Sequence, residues 1–293
     1  MPITQGRIPN RDEVNELGRI YGVIEREIAK EMASMEIGDY RELKAIKTQE
    51  RIDKLVKMLN RAAIKWSKEA VPEAYEKGYT IAKIRLEILG VQKDEEFSNK
   101  THTQSVEHQI DETMDVLIRA NQSIRLNVAT FIYLSRQAAR GLSQFQAFDM
   151  RDEELIDELL GEALREGETR GFASKIVREY FAEKFGDAKF ITINGRDYNL
   201  RKYADMVAKT RLRVVQTEAV LNTCKEFDND LVQVSDHGCD CLICLEYEGN
   251  VYSLSGRSSA YPYLDSYPPW HPRCQHNISP TSEVALEARE RYA

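Results

Sequence analysis

Apolar residues recur three and four positions apart over long stretches of the chain, which is the pattern of a buried helical face. The first stretch runs from about Asp12 to Ser34, and the second from about Glu42 to Leu89, where Pro72 predicts a break or a kink. A third runs from Val106 to about Arg140, with Gly141 as its cap. The pattern therefore predicts three long amphipathic helices.

The positions between and after these helices follow other patterns. Residues 91–103 are polar and contain turn formers, which predicts a loop or hinge. A further helix is predicted from near Asp152, because acidic residues suit the positive end of a helix dipole. After Lys189, two short segments with the pattern of β-strands flank Asn194-Gly195, the dipeptide favoured in tight hairpin turns.

The C-terminal third combines one more helix with short strands. The pattern predicts a helix over roughly 200–225 and a strand over 231–235. Residues 247–254 are typical of a hairpin with its turn at Gly249-Asn250. We therefore expect a mainly α fold with a small α+β C-terminal part, in which an elongated helical body precedes short hairpins.

Composition limits the classes of function. The 293-residue chain carries a net charge of −7, which argues against a general nucleic-acid binder, since such proteins neutralise phosphates with many Lys and Arg. No stretch approaches the roughly 18 consecutive apolar residues of a membrane span. The first residues do not have the pattern of a signal peptide. We expect a protein made in a reducing cytoplasm and not bound to a membrane.

The cysteines are confined to the C-terminal part of the chain, at positions 224, 239, 241, 244 and 274. An odd number of cysteines crowded at one end of a cytoplasmic chain indicates a metal site rather than a disulfide framework. Cys241 and Cys244 are separated by two residues, and the same gap separates His271 from Cys274. Paired ligands with this gap are typical of a structural, four-coordinate zinc ion.

The predicted zinc ligands are Cys241, Cys244, Cys274 and a histidine. His271 is favoured as that histidine because its spacing to Cys274 repeats the spacing of the first pair, and His276 is the alternative fourth ligand. Cys239 and His237 are spares with supporting or solvent-exposed roles. The competing interpretation is a set of reduced, buried cysteines and packing histidines.

Motifs of the common enzyme classes are missing from the sequence. It contains no His-Glu-x-x-His, no deaminase signature, no phosphate-binding loop, no dinucleotide fingerprint and no Gly-x-Ser-x-Gly elbow. The chain is therefore predicted to be non-enzymatic, with no small-molecule substrate. The chain has one local cluster of basic residues, comprising Arg201, Lys202, Lys209, Arg211 and Arg213. We interpret this cluster as a solvated helix face in preference to a contact surface for DNA or an acidic partner.

From about 195 to 280 the sequence resembles the phage minor capsid protein 2 family, a relative of the Mu F-type head-morphogenesis proteins. Six motifs carry the resemblance, in this order: 195–198 (GRDY), 203–211 (YADMVAKTR), 230–235 (DLVQVS), 241–244 (CLIC), 249–254 (GNVYSL) and 269–276 (PWHPRCQH). Arg273 and Gln275 occupy positions that vary within the family, which leaves the ligand set undisturbed.

The resemblance implies a structural minor capsid protein of a tailed bacteriophage, associated with the portal vertex. Such a protein assists prohead assembly and DNA packaging or ejection. The implied partners are the portal protein and the major capsid protein, with packaged DNA as a further candidate. The implied location is the virion head, in its interior or at the portal vertex, after synthesis in the cytoplasm of the host bacterium. The alternative function is a DNA-contacting zinc module inside the head.

These expectations divide the chain into two parts. Residues 1–188 are predicted to form the helical body, with a possible hinge at 91–103. Residues 189–293 are predicted to form an α+β domain like that of the head-morphogenesis proteins, with a zinc lobe over 236–280.

Overall fold

Three long helices dominate the first half of the chain: α1 (Arg11–Ala33), α2 (Glu42–Ile88) and α3 (Lys100–Arg140). In this computed structural model the described residues are 11–33, 42–91, 100–140, 190–193 and 196–292. The predicted boundaries of the first two helices agree with the structure to within a residue or so. α3 begins six residues before the predicted Val106, so residues 100–103 of the expected hinge are helical.

Short strands alternate with helices in the rest of the described chain. In order these elements are β1 (Ile191–Ile193), β2 (Arg196–Tyr198), α4 (Leu200–Glu226), β3 (Leu231–Val234), α5 (Leu242–Leu245), β4 (Val251–Ser253), β5 (Ile278–Pro280) and α6 (Glu283–Tyr292). The expected fold class, mainly α with a small β part near the C-terminus, is confirmed.

Two antiparallel sheets account for the strands. β1 pairs with β2, and Ile193 lies opposite Arg196, the register expected of a two-residue connection. The connecting residues 194–195 lie outside the described part of the chain. In the second sheet β3 is central and pairs with β4 on one side and β5 on the other.

Two local predictions need correction. The predicted break at Pro72 is wrong, because α2 continues through this residue, whereas the other expectation, a kink, stays a prediction. Its neighbours Val71, Ala74 and Tyr75 are all buried, and this packing outweighs the hydrogen bond that proline cannot donate. The segment 247–254 is not a hairpin, because β4 pairs with β3 instead of with residues 246–250. A partner strand outside the local segment therefore decided this pairing.

Other predictions fall on residues outside the described ranges. These are the cap at Gly141, the helix from near Asp152, and the 92–99 part of the hinge. Among the described residues, no helix combines the length and apolar character needed to cross a membrane.

The chain divides into two units by internal contacts. The first unit comprises Met1–Glu16, Ile64–Val116 and Asp205–Ala293, and the second comprises Leu17–Ala63 and Leu117–Ala204. The predicted domain division between residues 188 and 189 stays a prediction.

The second unit has an apolar interior built from helical residues. Its fully buried large side chains are Leu17, Tyr21, Ile28, Ile52, Leu59, Leu117, Ile124, Ile191 and Leu200. Polar contacts link its helices as well: Asn121 donates to Asn60 at 2.9 Å, and Arg125 pairs with Asp53 at 2.7 Å. This interior follows the three- and four-residue spacing seen in the sequence.

The first unit contains the second sheet and a hydrophobic cluster beneath it. The cluster joins α2 and α4 to the sheet and comprises Ala82, Val220, Leu221, Cys224, Val232, Val234, Tyr252, Leu264 and Ile278. A buried polar network lies in the same unit, where His102 is 3.0 Å from the Tyr75 hydroxyl and 2.8 Å from Glu226. The sheet therefore packs on α2 and α4 through this cluster. The cysteines and histidines lie next to the end of β3 and the start of β5.

Candidate metal centre

The ends of β3 and β5 bring together the two sequence clusters predicted to hold a metal. Val234, the last residue of β3, pairs with Ile278, the first residue of β5. Beyond that pair, the Ser235 N–H donates to the Asn277 carbonyl at 2.9 Å, and the Asn277 N–H donates to Ser235 Oγ at 3.1 Å. The segment after β3 and the segment before β5 therefore leave the sheet side by side.

The short helix α5 positions the first cysteine pair. Cys241 is its N-cap, and the Cys241 carbonyl accepts a hydrogen bond from the Leu245 N–H at 2.9 Å. Cys244 lies one turn later, so both sulfurs face the same side of a tight turn. Cys244 is buried, with only 1% of its surface exposed, whereas Cys241 is partly exposed.

A second tight turn positions the other ligands. The Cys274 N–H donates to the His271 carbonyl at 3.0 Å, and Arg273 between them has φ +69, in the left-handed region. Cys274 is 2% exposed, and His276, two residues further on, is also 2% exposed. Both turns therefore aim sulfur and imidazole atoms into one small volume.

The predicted ligands meet around Cys244. Ligand atoms of Cys241, Cys244 and His271 all lie within 4.8 Å of one another. Cys244 Sγ is 3.2 Å from His271 Nε2 and 3.9 Å from Cys274 Sγ. All five cysteines are free thiols. These clusters can therefore bind a metal ion.

The two histidines have different partners. His271 Nδ1 is 2.9 Å from the Pro272 carbonyl, which leaves Nε2 directed at Cys244. His276 Nδ1 is 3.5 Å from Cys274 Sγ, and its Nε2 is 3.1 Å from a carboxylate oxygen of Glu248. Each ring thus has one nitrogen facing a sulfur and the other facing an oxygen acceptor, and the second contact is typical of metal-binding histidines.

Electrostatics differ sharply between the paired cysteines. The backbone N–H groups of Cys244 and Ile243 lower the pKa of the Cys241 thiol. Burial raises the pKa of Cys244, and the neighbouring Cys241 and Cys274 raise it further. A metal ion must displace the proton of this thiol, so metal binding at this site weakens as the pH falls.

Glu248 is ionised at the edge of the cluster. Burial favours its neutral form, but the His237 N–H, His276 and the Cys239 N–H outweigh burial and lower the Glu248 pKa to about 2. The carboxylate therefore holds the 237–239 loop and the His276 ring together.

An aromatic wall closes one side of the cluster. Trp270 stacks on Tyr247 with ring centroids 4.5 Å apart and planes 19° apart. The Trp270 ring also lies 5.7 Å from the His276 ring, centroid to centroid. Because Trp270 directly precedes His271, this packing orients the second ligand turn.

The basic cluster of α4 is solvated at its start but not at Arg211 and Arg213. Arg201 and Lys202 are exposed, as predicted. Arg211 donates to Gln109 at 2.6 Å and to Thr113 at 3.1 Å, and it pairs with Glu112. Arg213 is only 8% exposed and donates to the Gln275 carbonyl at 2.5 Å, beside the metal-binding residues. These two arginines therefore hold the fold together.

Sequence reasoning treated Cys239 as a spare and did not consider Glu248. In the structure, ligand atoms of Cys239, Cys244 and His276 also lie within 4.8 Å of one another. A signal for Cys239 existed, since it precedes Cys241 by the same two positions by which His276 follows Cys274. Nothing in the spacing indicated Glu248, because acidic residues are common throughout the chain.

Comparison with known proteins assigns the chain to a family. The family model described as phage minor capsid protein 2 matches residues 18–281, which is nearly the whole chain. Searches of curated proteins and of solved structures found no match. The family match extends the sequence resemblance from the C-terminal motifs through the long helices, and the chain belongs to the phage minor capsid protein 2 family.

Proposed function

We propose that this minor capsid protein is a non-enzymatic structural component of the portal vertex of a tailed-phage head, where it assists prohead assembly and DNA packaging or ejection. The observation that carries the proposal is the family match over residues 18–281. The proposed partners are the portal protein and the major capsid protein. The helices offer surfaces for these contacts, and the metal lobe, residues 236–280, provides a rigid end.

The lobe is proposed to bind a structural zinc ion through Cys241, Cys244, His271 and Cys274. Zn–S and Zn–N bond lengths place two sulfur ligands of a tetrahedral ion about 3.8 Å apart and a sulfur and a nitrogen about 3.5 Å apart. The observed separations are 3.9 Å between Cys244 and Cys274 and 3.2 Å between Cys244 and His271. His276 stays the alternative fourth ligand.

Zinc would supply the stability that the lobe cannot draw from apolar burial alone. The strands that anchor it are only three or four residues long. Structural zinc sites contribute on the order of 10 kcal/mol of binding free energy, which becomes folding free energy when the site is unformed in the unfolded chain. A single ion can therefore decide whether this part of the chain is ordered.

An exposed apolar surface on α5 supports protein contacts. Leu242 is 86% exposed, Ile243 54% and Leu245 49%. Asp240 and Glu246 flank them and are exposed as well. Adjacent large apolar side chains in water are typical of a protein–protein contact, and flanking carboxylates favour a partner surface with basic residues.

Two of the five residues of the basic cluster argue against the alternative, a DNA-contacting zinc module. Arg211 and Arg213 are occupied by protein partners, and phosphate binding would require breaking those contacts. The carboxylates beside the exposed α5 surface repel phosphate. The geometry therefore favours a protein partner for the lobe.

Quantitative mass spectrometry of purified proheads and mature virions tests the proposal, with the portal protein as internal standard. We expect the protein in both particles at a few to a few tens of copies. Its absence from both would overturn the structural function. Its presence at a copy number close to that of the major capsid protein would overturn the assignment to the portal vertex.

A pair of variants tests the contact surface. Leu242→Asp places a charge on the exposed α5 surface, and we expect incorporation into proheads to fall about tenfold or more if this surface contacts the partner. Val284→Asp is the matched control, since Val284 is 77% exposed but lies on α6, outside the lobe. Equal incorporation of both variants would remove the α5 surface from the proposal.

A further inference from the structure

A second group of metal-binding side chains lies beside the first and shares one cysteine with it. The first group contains Cys241, Cys244 and His271, and the second contains Cys239, Cys244 and His276. Within each group the ligand atoms lie within 4.8 Å of one another. Cys244, which is 1% exposed, therefore faces two sets of donors.

Glu248 lies beside the second group, in contact with His276. Its Oε1 lies 3.1 Å from His276 Nε2, and Cys239 Sγ lies 4.0 Å from the same nitrogen. On a tetrahedral zinc ion, two light-atom ligands are about 3.3 Å apart and a sulfur and a nitrogen about 3.5 Å apart. The Glu248–His276 distance of 3.1 Å is close to the first value, and the Cys239–His276 distance of 4.0 Å is about 0.5 Å longer than the second. The side chains of His276 and Glu248 are only 2% and 6% exposed, so water is largely excluded between them.

The donor types of the second group suit zinc. Two cysteine sulfurs and an imidazole nitrogen lie within 4.8 Å of one another, and zinc binds such soft sulfur and imidazole ligands readily. His276 Nε2 is the nitrogen that faces both Cys239 Sγ and a carboxylate oxygen of Glu248.

We infer that the lobe binds two zinc ions bridged by the Cys244 thiolate. One ion is held by Cys241, Cys244, His271 and Cys274, and the other by Cys239, Cys244, His276 and Glu248. Each ion then has four ligands, as closed structural sites require. The proposed function requires only one zinc ion in the metal lobe. The second ion goes beyond that function and rests on the same lobe.

Charge balance is consistent with two ions. Four thiolates and one carboxylate around two zinc ions leave a single net negative charge, and the buried Arg213 guanidinium lies next to it at the Gln275 carbonyl.

Metal stoichiometry of the full-length chain is the deciding measurement. We expect native mass spectrometry and elemental analysis of zinc-saturated protein to give two zinc ions per chain. Cys239→Ser and, independently, Glu248→Gln are expected to lower the value to one, whereas Cys224→Ala, a buried cysteine outside the cluster, keeps two. Substitution with ¹¹³Cd is expected to give two resonances coupled through the shared sulfur.

The possible outcomes separate this inference from the proposed zinc lobe. One ion in the wild-type chain overturns the two-ion inference, and if Cys239→Ser leaves that ion bound, the first site stands. No bound metal overturns both. The wild-type count decides the question even if a variant fails to fold, because it does not depend on any substitution.

Discussion

The long helices and the metal lobe are stabilised in opposite ways. α2 alone has 47 residues, and buried apolar side chains recur along most of it. The lobe begins and ends on strands of three or four residues and gathers cysteines and histidines within a few ångströms. Stability in the helices is spread over many contacts, whereas in the lobe it is concentrated in a few ligands.

This difference sets the size of the effect of a single substitution. Truncating one buried apolar side chain in a helical interior lowers the free energy of unfolding by only a few kcal/mol, because the remaining contacts persist. Removing one ligand from a small metal site releases the ion and with it most of the folding free energy of the site. The contrast therefore predicts a graded series of effects, with the largest at the metal ligands and smaller ones in the helices.

The largest effect is expected for Cys244→Ser. Because Cys244 contacts both His271 and Cys274, we expect zinc affinity to fall by more than about 100-fold. This loss of affinity is larger than the one typical of residues that only hydrogen-bond to a metal ligand. Competition with a chromophoric chelator measures the affinity. Cys224→Ala is the control, since Cys224 packs in the hydrophobic cluster, and it is expected to bind zinc as the wild type does.

The same variant tests whether the lobe unfolds alone. The chain has two tryptophans, Trp66 in α2 and Trp270 in the lobe. In a Trp66→Phe background, loss of zinc is expected to shift Trp270 emission to the red while the far-ultraviolet signal of the helices is retained. Unchanged Trp270 emission after complete metal removal would show that apolar packing alone holds the lobe.

Leu59→Ala is expected to have the next largest effect. Leu59 is fully buried in the second unit, so its truncation leaves a cavity and costs about 2–5 kcal/mol of unfolding free energy. The adjacent Met58 is 53% exposed, and Met58→Ala is expected to stay within about 0.5 kcal/mol of wild type. Urea unfolding followed by circular dichroism measures both. Equal costs would contradict the buried interior described for this unit.

Two helical glycines are expected to respond with opposite signs. A Cβ on Gly78 would lie 2.8 Å from the Gln216 carbonyl oxygen and 2.9 Å from Ala219 Cβ, so Gly78→Ala is expected to cost about 1–3 kcal/mol. The atoms nearest to a Cβ on Gly22 would be those of the flexible Arg201 side chain, the first at 3.3 Å. Gly22→Ala is therefore expected to gain up to about 1 kcal/mol from helix propensity. Thermal unfolding distinguishes the two, and a gain from both would contradict the close helix contact at Gly78.

The smallest effect is expected at Glu25. Burial raises the pKa of Glu25, against the opposing hydrogen bonds from Arg201 and Asn199. Between the unfolded value near 4.5 and the raised folded value, the folded chain binds more protons than the unfolded chain, so stability falls as the pH rises through this window. Glu25→Gln is expected to remove that slope. Urea midpoints at several pH values measure it, and a pH-independent difference between the two proteins would contradict the raised pKa.

Helix positions were largely predictable because the information is local. The buried Val14, Leu17, Tyr21, Ile24 and Ile28 follow the three- and four-residue spacing in the sequence, and α1 spans almost the predicted residues. Pro72 was an exception, since the helix continues through it where the buried residues around it pack against other parts of the chain. The β4 pairing was a second exception, because strands take partners from any part of the chain.

The candidate metal site was predictable in outline. Two-residue gaps between Cys241 and Cys244 and between His271 and Cys274 indicated paired ligands, and the structure brings both pairs around Cys244. The same reasoning missed Glu248, since a carboxylate next to a histidine leaves no recognisable spacing in sequence. It also assigned Arg213 to a solvated face, whereas the side chain is buried against Gln275.

The sequence by itself determined the helical character of the chain, the concentration of cysteines at one end and the motifs of the family. These properties depend on periodicity and residue type, which are readable along the chain. Only the tertiary structure decided which strand pairs with β4, where the α4 arginines point and how Cys239, His276 and Glu248 meet. Those outcomes depend on contacts between residues distant in sequence, and such contacts form only when the chain closes on itself.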